Sequence, residues 1–243
     1  MTALLGIEDL HAGYGAGDIV QGVDLELRQG EVVALLGRNG VGKTTLLHAI
    51  MGVVRPRAGS VRLREHDLAG RRSHEIARAG VALVPQGRRI FSRLTVEENL
   101  RLARSASDSR TRWTLDAVYE LLPRLQERRR HRGDQLSGGE QQMLAIGRAL
   151  LGNPTVFLFD EPSEGLAPRI VETMTETIAG LREQGLSAIL VEQNLHVALA
   201  LADAVAIMAK GEIVYRATTA EFRRSPEVAR TQLGIGSQSG GPG

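Results

Sequence analysis

Cysteine is absent from the 243 residues. That excludes disulfide frameworks, thiolate nucleophiles and cysteine-ligated metal sites. Aromatic residues are scarce, at 3% of the chain with one Trp. No apolar run reaches membrane-spanning length, since even residues 195–209 are interrupted by His196 and Asp203. Glu8 and Asp9 come too early for the apolar stretch of a signal peptide. These absences set the expectation of a soluble, cytoplasmic chain. What is present is 42% hydrophobic residues, enough to bury a full core as one large domain or two intimate lobes.

Charge is nearly balanced at +2 but unevenly spread. Residues 55–132 carry nineteen Arg against nine Asp/Glu, while the rest carries eleven Lys/Arg against nineteen Asp/Glu. A basic block of this kind suits nucleic acid, an anionic membrane surface or a plainly solvated helical face. Within it, residues 84–100 leave an apolar run at Pro85, pass Gln86, Arg88, Arg89 and Arg93, and enter a helical pattern at Thr95.

Residues 7–11, 20–27 and 60–63 alternate like strands of a half-exposed antiparallel sheet. Residues 32–36, 81–84, 156–159, 188–191 and 205–208 are short continuous apolar runs, as in a parallel sheet covered on both faces. Lys210-Gly211 reads as a hairpin turn into residues 213–215. Between Thr95 and Gly152 the periodicity is helical, and both Thr95/Glu98 and Ser137/Glu140 have capping-box spacing. Residues 105–112 read as a loop, and no internal repeat is visible.

Gly37, Arg38, Asn39, Gly40, Val41, Gly42, Lys43 and Thr44 fit a phosphate-binding loop, placed between an apolar strand and a helix over 44–51. Its glycines let backbone N–H groups face phosphate oxygens at a helix N-terminus. Lys43 would reach the β- and γ-phosphates and Thr44 would ligate Mg²⁺. A kinase, a GTPase and an ATPase all satisfy this element. Residues 155–161 then form a buried strand ending in Asp160, placed to hold Mg²⁺, and Glu161, placed to act as general base on a water. Residues 136–142, Leu-Ser-Gly-Gly-Glu-Gln-Gln, open a helix whose first turn holds Gly138 and Gly139. Glycine there lowers helix propensity, which implies close approach by another group.

Leu136-Ser-Gly-Gly-Glu resembles the signature of the ATP-binding-cassette family, and the resemblance, with the motifs in family order, runs from about residue 7 to 233. It implies a RecA-like phosphate-loop NTPase core carrying an N-terminal antiparallel β subdomain and an inserted α-helical subdomain. The expected organisation is one domain over residues 1–235, the helical part at about 87–153, and a disordered tail at 236–243.

The family binds ATP with Mg²⁺ between two cassettes paired head to tail. The resemblance therefore implies that Ser137, Gly138, Gly139 and Glu140 of one chain meet nucleotide held by the other. It implies that Tyr14 stacks on adenine, that Thr45 joins the phosphate loop, and that Gln86 touches Mg²⁺ and the attacking water. Residues 163–168 match the loop that crosses the dimer interface, with Pro168 in the first turn of a helix over 169–184. Most cassettes carry a γ-phosphate-contacting His after the strand at 188–191. Here Glu192-Gln193-Asn194 stands instead, and Gln193 donates a hydrogen bond but cannot titrate. His196 reads as a structural or surface residue.

Residues 84–100, 119–125, 136–150, 161–168 and 190–194 are similar to ATP-binding subunits of branched-chain amino-acid importers. Urea-importer subunits share most of these features. The implied partners are integral-membrane permeases and a second cassette at the cytoplasmic face, without membrane insertion. A cassette acting on ribosomes or DNA is the rival from another class. It is disfavoured by the single cassette, the lack of coiled-coil insertions, and arginines whose only nearby aromatics are Phe91 and Trp113. A non-hydrolysing nucleotide switch is a third reading, opposed by Glu161 and kept open by Gln193.

Overall fold

The computed structural model describes residues 3–103 and 112–234. Of the loop expected at 105–112 only Arg112 is described, and the tail at 236–243 lies outside the described residues. In the first half, β1 (Leu5–Ala12), β2 (Val20–Leu27) and β3 (Val32–Leu36) lead through a glycine-rich turn into α1 (Lys43–Ile50). Then come β4 (Ala58–Leu63), β5 (His66–Asp67), α2 (Ser73–Ala79) and β6 (Val81–Val84). The described residues then form the α-helices α3 (Val96–Leu102), α4 (Leu115–Leu121), α5 (Pro123–Glu127) and α6 (Gly138–Leu151). The chain returns through β7 (Val156–Asp160), α7 (Pro168–Glu183), β8 (Ala188–Val191), α8 (Leu195–Leu201), β9 (Ala204–Ala209) and β10 (Glu212–Thr218). It ends in α9 (Thr219–Arg224) and α10 (Pro226–Leu233).

The strands form two sheets, ordered β2-β1-β4-β5 and β10-β9-β3-β8-β7-β6. The first is antiparallel, and the second is parallel apart from the β9–β10 hairpin. The continuous apolar runs are those that need cover on both faces, and they receive it. Phe157 and Phe159 of β7 enter one core with the helices α3–α6, while Val156 and Leu158 enter a second core shared with α1 and the antiparallel sheet. β3 divides likewise, with Ala34 facing one core and Val33 and Leu35 the other. Side-chain period of two thus turns a uniformly apolar strand into a partition between two cores.

Helix starts follow local chemistry. Thr95 accepts from Glu98 N–H at 3.2 Å while Glu98 accepts from Thr95 N–H at 2.7 Å. Ser137 and Glu140 make the same reciprocal cap on α6. Pro168 occupies the first turn of α7 as expected. Periodicity did not signal α2, α8, α9 or α10. In α2 only Ile76 is buried, and α10 only half-buries Val228, Ala229 and Leu233 against the core, so neither carries a fully buried stripe. α8 is seven residues long and starts because Asn194 accepts from the His196 and Val197 N–H groups.

The turn between β6 and α3 is organised by Asn99, which is fully buried. Its Nδ2 donates to Phe91 O and Thr95 O, each at 2.9 Å, and its Oδ1 accepts from Phe91 N–H at 2.9 Å. Replacing it leaves the Phe91 N–H without an acceptor, while Phe91 O and Thr95 O keep the Leu94 and Asn99 N–H groups and lose only their second donor. Asn99→Leu is expected to lower unfolding free energy by about 2 kcal/mol or more, read from urea denaturation. A loss below about 0.5 kcal/mol, less than one net hydrogen bond, would show that the turn holds itself.

Candidate active site

The phosphate loop leaves the C-terminal end of β3. Gly37 has φ +152°, and a Cβ there would lie 2.4 Å from Met208 O, so no side chain fits between the loop and β9. The β9–β10 hairpin also donates from Gly211 N–H to Val41 O at 3.1 Å, tying the loop to the sheet edge. Lys43 is 4% exposed. Its ammonium donates to Gly37 O at 2.8 Å and Arg38 O at 3.0 Å, and stands 3.9 Å from Glu161 Oε1. Desolvation lowers its pKa, against the pull of Glu161 and Asp160. The loop has closed on its own lysine, leaving α1's first N–H groups at the cleft.

β7 delivers two carboxylates to the same place. Asp160 is 1% exposed and accepts a hydrogen bond from Thr44 Oγ1 at 3.0 Å. Burial pushes its pKa up, opposed first by that hydrogen bond. Glu161 takes φ +49°, a left-handed conformation rare for a residue with a side chain. Its own N–H donates to Val191 O at 2.9 Å. The turn sends the carboxylate across the cleft, where Oε2 accepts from Gln193 Nε2 at 2.6 Å and Gln86 Nε2 at 3.3 Å.

These groups line a cleft of about 410 Å³ that includes Gly42, Lys43, Thr44, Gln86, Glu161 and Gln193. Thr45, Asn39 and Gly40 also border it. Arg38 faces a neighbouring depression with Gly37 and Asn39. Glu164 reaches the cleft too, accepting from Gln86 Nε2 at 2.6 Å. Nothing in the pattern singled it out, because one more acidic residue in a polar loop is indistinguishable from a solvated one. His48 was likewise hidden on α1. Its Nδ1 pairs with the Tyr14 hydroxyl at 3.0 Å, and burial holds its pKa below the usual value. Tyr14 is half exposed beside the cleft rather than in its lining. Its loop is held by Arg57, which donates to Asp18 Oδ1 at 2.7 Å and Ala16 O at 3.1 Å.

Asp160 and the Thr44 hydroxyl form a hard oxygen pair suited to Mg²⁺, which takes few protein ligands and completes its shell with phosphate and water. No group of three or more His, Asp or Glu among the described residues forms a self-contained metal cage. The pair fits a metal carried in with a nucleotide.

Ser137, Gly138, Gly139 and Glu140 stand apart from that cleft. The close approach implied by the two glycines is made within the chain. A Cβ on Gly139 would lie 2.4 Å from Ile170 Cγ2, and one on Gly138 would lie 2.9 Å from the Arg88 guanidinium. Arg88 also donates to Gln141 Oε1 at 3.4 Å. Arg88 is half-buried against the α6 N-terminus, while Arg89 and Arg93 are exposed. The Arg148 guanidinium lies 4.8 Å from the Phe91 ring centroid and donates to Arg89 O at 2.9 Å, fixing the backbone there.

The ABC transporter family profile matches residues 20–164. A high-affinity branched-chain amino-acid transport ATP-binding protein of Pseudomonas aeruginosa, BraG, is 44% identical over 95% of this chain and 100% of its own length. The chain belongs to the ABC transporter family. With that membership it is an ATP-binding cassette, the ATPase component of a transporter. A probable branched-chain amino-acid transport ATP-binding protein of Archaeoglobus fulgidus is 33% identical, covering 93% of this chain and 97% of that one. The lipopolysaccharide export ATP-binding protein LptB of Escherichia coli is also 33% identical, covering 96% and 98%. The crystal structure of a nucleotide-free ATP-binding cassette superposes with TM-score 0.83 at 24% identity, covering 97% of this chain and all of that one. That likeness confirms the expected fold. Among the described residues no helix of the cassette is long and apolar enough to cross a membrane.

A carboxylate whose pKa burial raises is more easily protonated folded than unfolded. Its stabilising contribution is present below the unfolded pKa of 3.8 and is lost as pH rises through the raised value. Asp160→Asn keeps the acceptor for Thr44 and removes the buried charge. In nucleotide- and magnesium-free buffer at pH 7 the variant is expected to unfold at higher urea concentration than the parent, with the gap closing at low pH. An unchanged or lower midpoint at pH 7 would mean that Asp160 is stabilised by its surroundings.

Proposed function

We propose that this cassette is the ATP-hydrolysing subunit of an importer that takes up branched-chain amino acids. The observation that carries the site reading is the convergence of Lys43, Thr44, Asp160, Glu161, Gln86 and Gln193 on one cleft at the ends of β3, β7 and β8. The solute reading rests on the 44% identity to BraG over that protein's full length, against 33% for the lipopolysaccharide-export protein. Export of a lipid-linked solute is the second reading, favoured by that protein's equal standing with the archaeal amino-acid relative.

In this reading the phosphate loop receives the β- and γ-phosphates, with Lys43 exchanging its two carbonyl contacts for phosphate oxygens. Thr44 and Asp160, with Gln86 beside them, would hold Mg²⁺, which supplies neutralisation of phosphate charge when bound. Glu161 polarises the attacking water. Gln86 and Gln193 both donate to its Oε2, so they orient that carboxylate while adding no titratable group. Tyr14, steadied by His48 and Arg57, offers a face to adenine. Ser137, Gly138, Gly139 and Glu140 form a second helix N-terminus that serves nucleotide on a partner cassette, either a copy or a sister subunit. We assign residues 1–235 to one cassette domain, with residues at about 87–153, which carry α3–α6, as its inserted helical part. Arg89 and Arg93 belong to the face toward the permease, at the cytoplasmic side of the membrane, with no role in nucleic-acid binding.

Lys43→Ala is expected to abolish MgATP binding in equilibrium titration. Retention within a factor of about two, or roughly 0.4 kcal/mol, would refute the phosphate-loop assignment. Glu161→Gln should bind ATP normally and hydrolyse it about two to four orders of magnitude more slowly. Full activity would move the base elsewhere. Arg93→Glu should spare ATP binding and weaken co-purification with the permease, because the reversed charge meets its partner with the wrong sign. Arg89 is left in place because its charge acts on Asp160 and His48. Salt-sensitive RNA or DNA binding by the parent, with permease assembly intact in the variant, would instead favour the nucleic-acid reading.

A further inference from the structure

Among the described residues, Glu192 is the one deeply buried carboxylate to which the proposed chemistry gives no part. It is 1% exposed at the end of β8 and has no ion-pair partner among the described residues. Four donors converge on it instead. Ser163 N–H reaches Oε1 at 3.0 Å, and Ser163 Oγ reaches Oε2 at 2.8 Å. The N–H groups of Gln193 and Asn194 reach Oε2 at 3.1 and 3.3 Å. An ionised carboxylate is acceptor-only, with lone pairs for all four, whereas an amide would turn two N–H groups against one of them. Burying an unpaired charge is costly, so an isolated packing role would be served better by a neutral side chain.

The two segments that Glu192 joins both end on Glu161. Ser163 lies two residues beyond it, past the left-handed turn at φ +49°. Such a conformation persists only where the surroundings over-determine it, and here Val191 O holds one side of the turn while Glu192 holds the other. Gln193 is next to Glu192 in the chain, and its side chain donates to Glu161 Oε2 at 2.6 Å. We propose that Glu192 is a positioning residue that fastens the Ser163 turn to the Gln193 segment, so that the aim of Glu161 and the placement of the 163–168 loop change together. This rests on the reading of Glu161 as the base and of residues 163–168 as facing a second cassette. A partner pressing on the loop would then be felt at Glu161 through one shared carboxylate.

The test compares ATP affinity, kcat and amide hydrogen exchange for the full chain carrying Glu192→Gln, Ser163→Ala or both, with Glu161→Gln alongside. Glu192→Gln is expected to leave ATP affinity within about threefold and to lower kcat about tenfold to a hundredfold, as for other supporting-shell changes. Ser163→Ala should lower kcat less, because its N–H bond survives, and should speed exchange at Gln193 and Asn194, across the clamp. The double variant should be no slower than Glu192→Gln alone, the non-additivity of a shared contact. Independent effects that multiply, or a Glu192→Gln kcat within about twofold of the parent with exchange unchanged, would overturn the inference. Full activity in Glu161→Gln would sink the base assignment instead, while the exchange comparison would still decide the clamp. Should Glu192→Gln not fold, exchange across the clamp in Ser163→Ala decides it.

Discussion

The structure depends on keeping charge out of water at the ends of parallel strands. Lys43, Asp160, Glu161 and Glu192 are all buried, where a bare charge is strongly unfavourable. Each is held by a different device. Lys43 is capped by two carbonyls of its own loop, Asp160 by the Thr44 hydroxyl, Glu161 by two glutamine amides, and Glu192 by three backbone N–H groups and a hydroxyl. The two cores on either side of the central sheet fix the strand ends that bring these groups together. Loss of register in β7 or β8 by one residue would turn both pairs of neighbours over.

None of these devices neutralises Lys43 completely, and Glu161 at 3.9 Å is a loose partner. The cleft is therefore primed for an anion that supplies what the protein withholds. Under the proposed function, a triphosphate would offer oxygens to Lys43, to the first N–H groups of α1, and to a metal held at Thr44 and Asp160. The same logic accounts for the glutamines. A histidine at position 193 would titrate near neutrality, whereas Gln193 gives Glu161 a donor whose character is independent of pH. Stability is spent on a strained Glu161 and desolvated carboxylates, as expected where function overrides local preference.

Much of this was legible in the residues. Five continuous apolar runs required a sheet covered on both faces, and all five lie in the six-stranded sheet. The phosphate loop, the strand ending in Asp160-Glu161 and the capped α6 follow from local chemistry that tertiary context does not alter. The glycines of α6 signalled a close approach, but not that Ile170 and Arg88 of the same chain would make it. Arg88 illustrates the limit. A charge run in sequence carries no direction, so one arginine turned inward could not be separated from two turned outward. Glu164, His48 and Glu192 escaped for the same reason, since their partners lie far away in the chain and only folding sets them together.

The central claim is that one cassette holds half of each reaction site and that Ser137–Glu140 of a second chain supplies the rest. Sedimentation velocity on Glu161→Gln tests it, with and without ATP, against the same protein also carrying Ser137→Arg. The account predicts an ATP-dependent dimer for the first protein, and for the second a monomer that still binds ATP with affinity unchanged within about threefold, under 1 kcal/mol. A dimer that persists with Ser137→Arg, or ATP binding lost along with it, would contradict the account.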